Sequence, residues 1–401
     1  MAVEVVELEG HIIDSLTLAK VMDLILAAGA DYRVVDVEIG KTNVDPSRAR
    51  LEVEADDETL SSLLVELQQH GANRVAQVDA EVVATDRDGV FPPGFYSTTN
   101  LPTAVRLDGE WVPVRNPEMD CGLAVRDDGT VRTLPMHKAR AGDRFVVGVE
   151  GVRVTPYQRP RGANPFEFMA SEVSSEKPKG LLVGDVAARL RRVRDGGGRI
   201  LAVCGPAVVH TGAGPDLAAL VRAGWIDVLF AGNGFATHDI EANVMGTSLG
   251  VSVTEGSAAE GGHSNHLRVI NEVRRYGSIA AAVDAGYIDG GVMYECVRKG
   301  VPFVLGGSVR DDGPLPDVYT DVVEAADAMR YLLPGVSVAL MLASTLHAIA
   351  TGNLLPAGVE TFCVDINQAV VTKLADRGSH QALGIVTDVG LFCQQLRQQL
   401  C

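Results

Sequence analysis

From about residue 178 to the C terminus, short apolar runs alternate with segments of helical periodicity. Runs that lack a polar alternation predict strands covered by helices on both faces, as in a parallel sheet. The sequence therefore predicts an α/β domain with a parallel sheet over residues 178–401. Its predicted strands are RILAVCG, WIDVLFAG, VPFVLGG, TFCVDIN and GIVTDVG.

Another apolar stretch, residues 336–355, is interpreted as a buried core helix. Gly, Asn and His interrupt it, so we do not expect it to span a membrane. Within it, Ser344, Thr345 and His347 carry polar groups where a core prefers aliphatic side chains. Buried polar groups need partners, so these three are expected to bond either to neighbouring residues or to a ligand.

The N-terminal part of the chain has a different pattern. Residues 1–83 follow the order strand, helix, strand, strand, helix, strand, which predicts a ferredoxin-like βαββαβ domain ending in the strand NRVAQVDAEVV. We interpret it as a structural or regulatory module. Residues 84–160 predict a small β-rich domain with short alternating runs between Gly, Pro and Asp, and residues 161–177 predict a polar linker.

Charge and cysteine usage exclude several classes of function. The chain has 35 Lys+Arg against 52 Asp+Glu, a formal charge of −17, and no basic run. Nucleic acids and anionic membranes both need a basic surface, so neither is expected as a partner. Six scattered cysteines without Cys-x-x-Cys spacing indicate reduced thiols in the cytoplasm. We expect no metal, although His263 and His266 have a spacing that a metal site can use.

The candidate site residues follow the predicted strands of the α/β domain, because such sheets bind ligands beyond the carboxyl ends of their strands. Gly232, Asn233 and Gly234 form a turn that suits a pyrophosphate at a helix N-terminus near Thr237, although a plain strand-to-helix turn remains an alternative. Asp365 ends a strand, where a carboxylate accepts ribose hydroxyls and repels a 2′-phosphate, which favours NAD over NADP. Its alternative role is a helix N-cap.

Four stretches of the sequence carry a specific resemblance: FYSTTNLPT, MYECVRKGVPFVLGGSVRDDGPLPDV, LHAIATGNLLP and CVDINQAVVTKLADRGSHQALGIVTDVG. In these motifs the chain resembles the NAD-dependent ornithine cyclodeaminases of the archaeal type over essentially its whole length. The same module forms the C-terminal half of the bifunctional cyanobacterial arginine dihydrolase/ornithine cyclodeaminase. Its N-terminal domain is similar to a conserved region of lysine-ketoglutarate reductase/saccharopine dehydrogenase enzymes.

The resemblance implies an NAD-binding domain of the deoxyhypusine synthase type, which accounts for the position of Asp365 far after the Gly-rich turn. Position 234 is commonly alanine in the family, and glycine there should keep the backbone contact. The implied cofactor contacts are Asn233, Gly234, Asp312, Ser344, Thr345, Leu346, His347, Asp365, Asp388 and Val389.

The activity implied by the resemblance is conversion of L-ornithine to L-proline and ammonia, with NAD⁺ regenerated in each cycle. A hydride leaves the α-carbon, the δ-amine attacks the resulting imine, ammonia is expelled and the hydride returns. This cycle needs a base and a site closed to water. The candidate bases are Asp120, Glu295 and His347, Asn100 is a candidate for orienting an amine, and Arg106 and Arg310 are candidates for binding the substrate carboxylate.

Other functions stay open at this point. An NAD-dependent amino-acid or saccharopine-type dehydrogenase would release NADH, and an NAD-binding regulator would bind without turnover. Aminobutyl transfer would require a lysine, for which Lys299 and Lys373 are the candidates. The resemblance also implies a homo-oligomer, because the related fold commonly builds active sites between subunits.

Overall fold

The structure is a computed structural model that describes residues 2–13, 15–42, 45–75, 78–155, 179–248, 251–252, 264–311, 313–370 and 382–401. The chain divides into two compact units. The first comprises Met1–Ala170 together with Asn353–Gly358, and the second comprises Ser171–Gly352 and Val359–Cys401. The predicted linker, residues 161–177, lies outside the described residues.

The first unit begins with a four-stranded antiparallel sheet in the order β2-β3-β1-β4. This is the ferredoxin-like arrangement that the sequence predicts. Alternation along β1 and β3 turns Val6, Leu8 and Leu51 into a core that also contains residues of both helices. The elements are β1 Ala2–Gly10, α1 Thr17–Ala27, β2 Asp31–Glu38, β3 Ser47–Ala55, α2 Asp57–Gln69 and β4 Asn73–Arg74.

The strand predicted over residues 73–83 is wrong as a single element. Asn73–Arg74 pairs with β1, whereas Glu81–Ala84 pairs with β10 of another sheet. That second sheet has seven strands in the order β11-β6-β7-β9-β8-β10-β5, which agrees with the β-rich prediction. Its strands are β5 Glu81–Ala84, β6 Thr103–Leu107, β7 Glu110–Arg115, β8 Gly122–Val125, β9 Val131–Leu134, β10 Arg144–Val147 and β11 Val152–Val154, with a 3₁₀ turn at Met136–Lys138.

The second unit is built on a seven-stranded parallel sheet in the order β17-β16-β13-β12-β18-β19-β20, as the apolar runs predict. Its strands are β12 Arg199–Cys204, β13 Val228–Gly232, β16 Phe303–Gly306, β17 Val318–Tyr319, β18 Val336–Leu342, β19 Glu360–Asp365 and β20 Ala382–Val386, and β14 Thr247–Ser248 pairs separately with β15 Val251–Ser252. The helices are α3 Lys179–Asp195, α4 Ala207–His210, α5 Gly214–Arg222, α6 Asn233–Met245, α7 Asn265–Tyr276, α8 Ile279–Asp284, α9 Gly291–Lys299, α10 Val322–Leu332, α11 Leu346–Leu354 and α12 Val389–Leu400.

The helix predicted over residues 336–355 is wrong in its first half. Residues 336–342 form β18, which lies between β12 and β19, and only α11 is helical. A short apolar run has the same composition in a buried strand and in a buried helix, so periodicity cannot separate them. Among the helices of the described ranges, none combines the length and the apolar composition needed to cross a membrane.

Candidate active site

The centre of the parallel sheet is a topological switch point. The strand order runs outward from β12 through β13 to one edge and from β18 through β19 to the other. At the carboxyl end of this pair the Gly205 N–H donates to the carbonyl oxygen of Leu342 at 2.9 Å. A Cβ on Gly205 would lie 1.8 Å from the carbonyl oxygen of Ala343, whose own φ is 45°. The backbone after β12 and the backbone after β18 are therefore in contact at the place where this class of sheet binds its ligand.

The Gly-rich turn after β13 is held in place by an amide network. Helix α6 begins at Asn233, four residues before the position that the sequence predicts. Buried Asn233 donates from Nδ2 to Asp311 Oδ1 at 3.2 Å and accepts at Oδ1 from the Leu315 N–H at 3.0 Å. The Asp311 carboxylate also accepts from the Ser308 N–H at 2.8 Å. These bonds tie the loop after β16 to the start of α6.

The ring of His347 occupies a space left by two glycines. A Cβ on Gly232 would lie 2.8 Å from His347 Cε1, and one on Gly306 would lie 3.0 Å from Nε2. Burial lowers the pKa of His347, while the carboxylate of Asp311 acts in the opposite direction. The imidazole is therefore neutral at pH 7 and lies across the carboxyl ends of β13 and β16. Ser344 beside it is buried.

The two predicted acids, Asp365 and Asp388, follow neighbouring strands. Asp365 ends β19, is half-buried and accepts the Asn367 N–H at 2.7 Å. Asp388 is the N-cap of α12 and accepts the Leu391 N–H at 2.9 Å. Val389 is the buried first residue of that helix. Both carboxylates follow the carboxyl ends of parallel strands, the edge at which sheets of this class bind ligands, and their role as cofactor contacts stays a prediction.

The remaining cofactor candidates are placed as follows. Gly234 lies in the first turn of α6, where a Cβ would approach Pro206 Cγ at 3.3 Å. Thr345 and Leu346 are exposed at the start of α11. Arg310 is exposed in the loop after β16, and its N–H donates to Ser308 Oγ at 3.2 Å. Asp312, Lys373 and His263 lie outside the described residues.

Three other candidates belong to the first unit. Asn100 is 1% exposed and donates from Nδ2 to the Leu355 carbonyl at 3.3 Å, and its Oδ1 has no partner among the described residues. Asp120 has a positive φ of 61° and lies 3.5 Å from Asn353 Nδ2. Arg106 on β6 donates to Asp79 at 2.6 Å, so its charge already has a carboxylate partner.

Glu295 has contacts that favour a structural role. It lies on α9 with 5% of its side chain exposed, and its Oε1 accepts from both Nε and Nη2 of Arg222 on α5 at 2.8 and 2.6 Å. The Arg222 side chain is 62% exposed. This ion pair joins α5 to α9, and a carboxylate held by two bonds from one guanidinium in this way has a structural role.

We expect Glu295→Gln to lower the free energy of unfolding by about 1 kcal/mol, because a charge-assisted pair is replaced by a neutral amide. Turnover of the folded protein should stay within about threefold, whereas loss of a general base costs about 10²–10⁴. Denaturant titration and steady-state kinetics measure the two effects. Arg222→Gln, which leaves the buried Glu295 carboxylate without its cation, should cost at least as much stability. A large fall in kcat for Glu295→Gln alone would return this residue to the list of bases.

Sequence reasoning missed a polar cluster at the same edge of the sheet. On α6, His238 Nδ1 lies 2.8 Å from Glu241 Oε2, and we name this pair the His238–Glu241 dyad. Thr247 donates to Glu241 Oε1 at 2.8 Å. The His210 ring, at the end of α4, lies 4.9 Å from that of His238 between centroids. The signal in the sequence was the polar run THDIE inside a helix that follows a buried strand.

Two further observations concern metal ligands and thiols. Within the described ranges no set of three or more His, Cys, Asp or Glu side chains is arranged to hold a metal ion. None of the six cysteines, all of which lie within the described ranges, forms a disulfide, and Cys121 and Cys296 are buried. Burial raises the pKa of the Cys296 thiol, so it stays protonated and unreactive at pH 7.

Models of three protein families match consecutive parts of the chain. Residues 3–101 match the LOR/SDH bifunctional enzyme conserved region. Residues 102–183 match the first region of the C-terminal part of arginine dihydrolase ArgZ-like proteins, and residues 184–396 match its Rossmann-fold region.

Individual relatives match over the same extent. Ornithine cyclodeaminase of Methanocaldococcus jannaschii is 51% identical over 98% of this chain and 95% of its own length. That of Methanothermobacter thermautotrophicus is 50% identical over 98% and 97%. Among solved structures, the ternary complex of AgrE with ornithine and NAD⁺ is 42% identical with a TM-score of 0.54, and apo ArgZ, an arginine dihydrolase from cyanobacteria, is 40% identical with a TM-score of 0.87. Both matches span the whole of this chain but only 57% and 58% of the solved chains.

Proposed function

The chain belongs to the family of ornithine cyclodeaminases, and on that premise we propose that it converts L-ornithine to L-proline and ammonia with NAD⁺ as a recycled cofactor. The observation that carries the proposal is the identity of about half of all residues, over nearly the full length of both chains, with two proteins of that name. The AgrE complex supports the choice of substrate and cofactor, because that relative is solved with both.

The second unit fits NAD at the carboxyl edge of its sheet. Gly205, Gly232 and Gly306 end or follow three neighbouring strands, and their lack of side chains lets the Ala343 backbone and the His347 ring lie directly against these strand ends. The N-terminus of α6 suits the pyrophosphate, since its first N–H groups have no partner within the helix. The half-buried Asp365 carboxylate suits the ribose hydroxyls and disfavours a 2′-phosphate.

When bound, NAD⁺ supplies the acceptor and donor of the hydride. The protein has to bind the nicotinamide end of the cofactor, exclude water and transfer protons to and from the substrate. The His347 ring is neutral and packs across Gly232 and Gly306. It is therefore better suited to act as an uncharged contact surface beside the cofactor than as a positively charged group. Of the other candidates, Ser344 follows β18 and Asp388 and Val389 follow β20 at the carboxyl edge of the sheet, and we propose all three as cofactor contacts.

The test incubates the purified protein with L-ornithine and sub-stoichiometric NAD⁺. We expect proline and ammonia in equal amounts, many per cofactor, without lasting NADH absorbance, because the hydride that leaves the substrate returns to it. Chromatography and nicotinamide absorbance measure these quantities. Accumulating NADH without proline would indicate a dehydrogenase instead, and binding of NAD without any product would indicate a regulator.

We also propose a cytoplasmic homo-oligomer. The scattered cysteines, which form no disulfide within the described ranges, support a reducing compartment, since oxidising compartments favour disulfides. The oligomer rests on the family resemblance, and light scattering of the purified protein tests it.

A further inference from the structure

The cyclisation of ornithine requires the transfer of a proton from the attacking δ-nitrogen to the departing α-nitrogen. When the δ-nitrogen has attacked the α-carbon, that carbon carries two nitrogens, of which the attacking one holds two hydrogens and a positive charge. The α-nitrogen can leave as ammonia only after it gains a proton, and the attacking nitrogen can form the ring C=N bond only after it loses one. A group that accepts and then donates one proton serves both needs.

We propose that the His238–Glu241 dyad is this group, with His238 as a catalytic residue that touches ornithine and Glu241 as its positioning residue. The inference rests on the proposed function. His238 Nε2 takes an N–H proton from the attacking nitrogen and delivers it to the α-nitrogen. The bond from carbon to the α-nitrogen then breaks with its electron pair on the departing NH₃, and the lone pair of the ring nitrogen forms the C=N bond. The dyad ends as it began.

The geometry of the dyad selects the basic nitrogen. Glu241 is fully buried, and its two oxygens accept from Thr247 Oγ1 and face His238 Nδ1. With Glu241 as a carboxylate, both of its oxygens accept, which assigns the hydrogen of His238 to Nδ1 and the lone pair to Nε2. The His238 side chain is 11% exposed, and Nε2 has no hydrogen-bond partner among the described residues.

The surroundings of the dyad are built to keep it in one position. Thr247 accepts from Asn265 Nδ2 at 2.9 Å, which connects the start of α7 to Glu241. Ser248 Oγ lies 2.7 Å from His210 Nδ1, and burial lowers the pKa of His210, with the neighbouring His238 acting in the same direction. Among the residues that the structure describes, the charged or titratable groups that face His238 are Glu241, His210 and His266, whose ring lies 6.3 Å away.

The position of the dyad in the fold agrees with this role. Helix α4 follows the carboxyl end of β12, and α6 follows that of β13, so His210 and His238 lie on the first helices beyond two central strands. Those strand ends border the switch point at which the cofactor is proposed to bind. A buried carboxylate, an oriented imidazole and two hydroxyls in that place need a reason beyond packing, because burying polar groups costs free energy.

The experiment compares the wild type with His238→Asn, whose amide nitrogen can keep the bond to Glu241 while the Nε2 lone pair is lost. We expect kcat for proline formation to fall about 10²–10⁴-fold. The NAD dissociation constant should stay within about twofold of the wild-type value, since only one proton-transfer group is removed. The matched control is His266→Asn, which changes the neighbouring imidazole and should leave kcat unchanged. Glu241→Gln should move the acid limb of the kcat profile to lower pH, because an amide stabilises the imidazolium less than a carboxylate does.

A second readout does not depend on turnover. With NAD⁺ and ornithine bound, His238 should be protected from acylation by diethyl pyrocarbonate, as mapped by mass spectrometry, while His137 on the other unit serves as the internal reference. If the wild type forms proline and the folded His238→Asn variant does so with the same kcat, the dyad proposal alone is overturned. Absence of proline from the wild-type enzyme would overturn the proposed function, and the dyad proposal with it.

Discussion

Gly205→Ala is expected to lower the free energy of unfolding by about 3 kcal/mol and to abolish NAD binding in whatever protein still folds. The new methyl carbon would lie 1.8 Å from the carbonyl oxygen of Ala343. That oxygen belongs to the backbone, and Ala343 is held by a hydrogen bond from its N–H to the Val364 carbonyl at 2.9 Å. Neither the backbone at Gly205 nor the backbone at Ala343 can move without breaking the contact between β12 and β18 at the switch point.

Chemical denaturation and NAD titration of Gly205→Ala measure the two effects. The matched control is Gly214→Ala at the start of α5, where a Cβ meets only Asp239 Oδ1, at an ordinary 3.9 Å. We expect that control to change stability by less than about 1 kcal/mol. If Gly205→Ala were as stable as this control and bound NAD normally, the close contact between the Gly205 and Ala343 backbones would be refuted.

Asp365→Asn is expected to weaken NAD binding by about 10- to 100-fold, equivalent to loss of one or two hydrogen bonds to a charged acceptor. The amide oxygen of asparagine can still accept the Asn367 N–H, so the turn after β19 should keep its form. The same change removes the negative charge that we propose repels a 2′-phosphate, so the preference for NAD over NADP should shrink. Calorimetric titration with both dinucleotides measures the two constants.

Asp195→Asn provides the control for charge. Asp195 is exposed at the end of α3, just before the amino end of β12, and therefore at the opposite edge of the sheet. Its replacement should leave both dissociation constants unchanged. Equal effects of the two variants would mean that Asp365 acts only through the net charge of the protein and does not contact the ribose.

Much of the architecture could be predicted from local pattern. The βαββαβ order of the first 83 residues and the apolar strands of the second unit are periodic signals, and the described sheets confirm both. The exceptions are local too. The sequence predicts a helix over residues 336–342 and a single strand over residues 73–83. Both predictions fail because a short apolar run does not reveal which strand or helix will lie beside it.

The candidate site was predictable where its residues follow strands. Asn233, Asp365 and Asp388 come directly after apolar runs, and parallel strands bring their carboxyl ends to one edge. The contacts of Glu295 were not predictable. Its partner Arg222 is 73 positions away in sequence, and only the packing of α5 against α9 brings the two together.

The sequence by itself determined the class of each unit, the edge of the sheet that carries the cofactor candidates and, through its motifs, the family. These follow from period, composition and residue order, which are local properties. The tertiary structure alone decided that Gly205 has no room for a side chain, that Glu295 is paired with Arg222 and that His210 lies beside His238. Such contacts depend on which elements pack together, and chain separations of this size leave no periodic trace in the sequence.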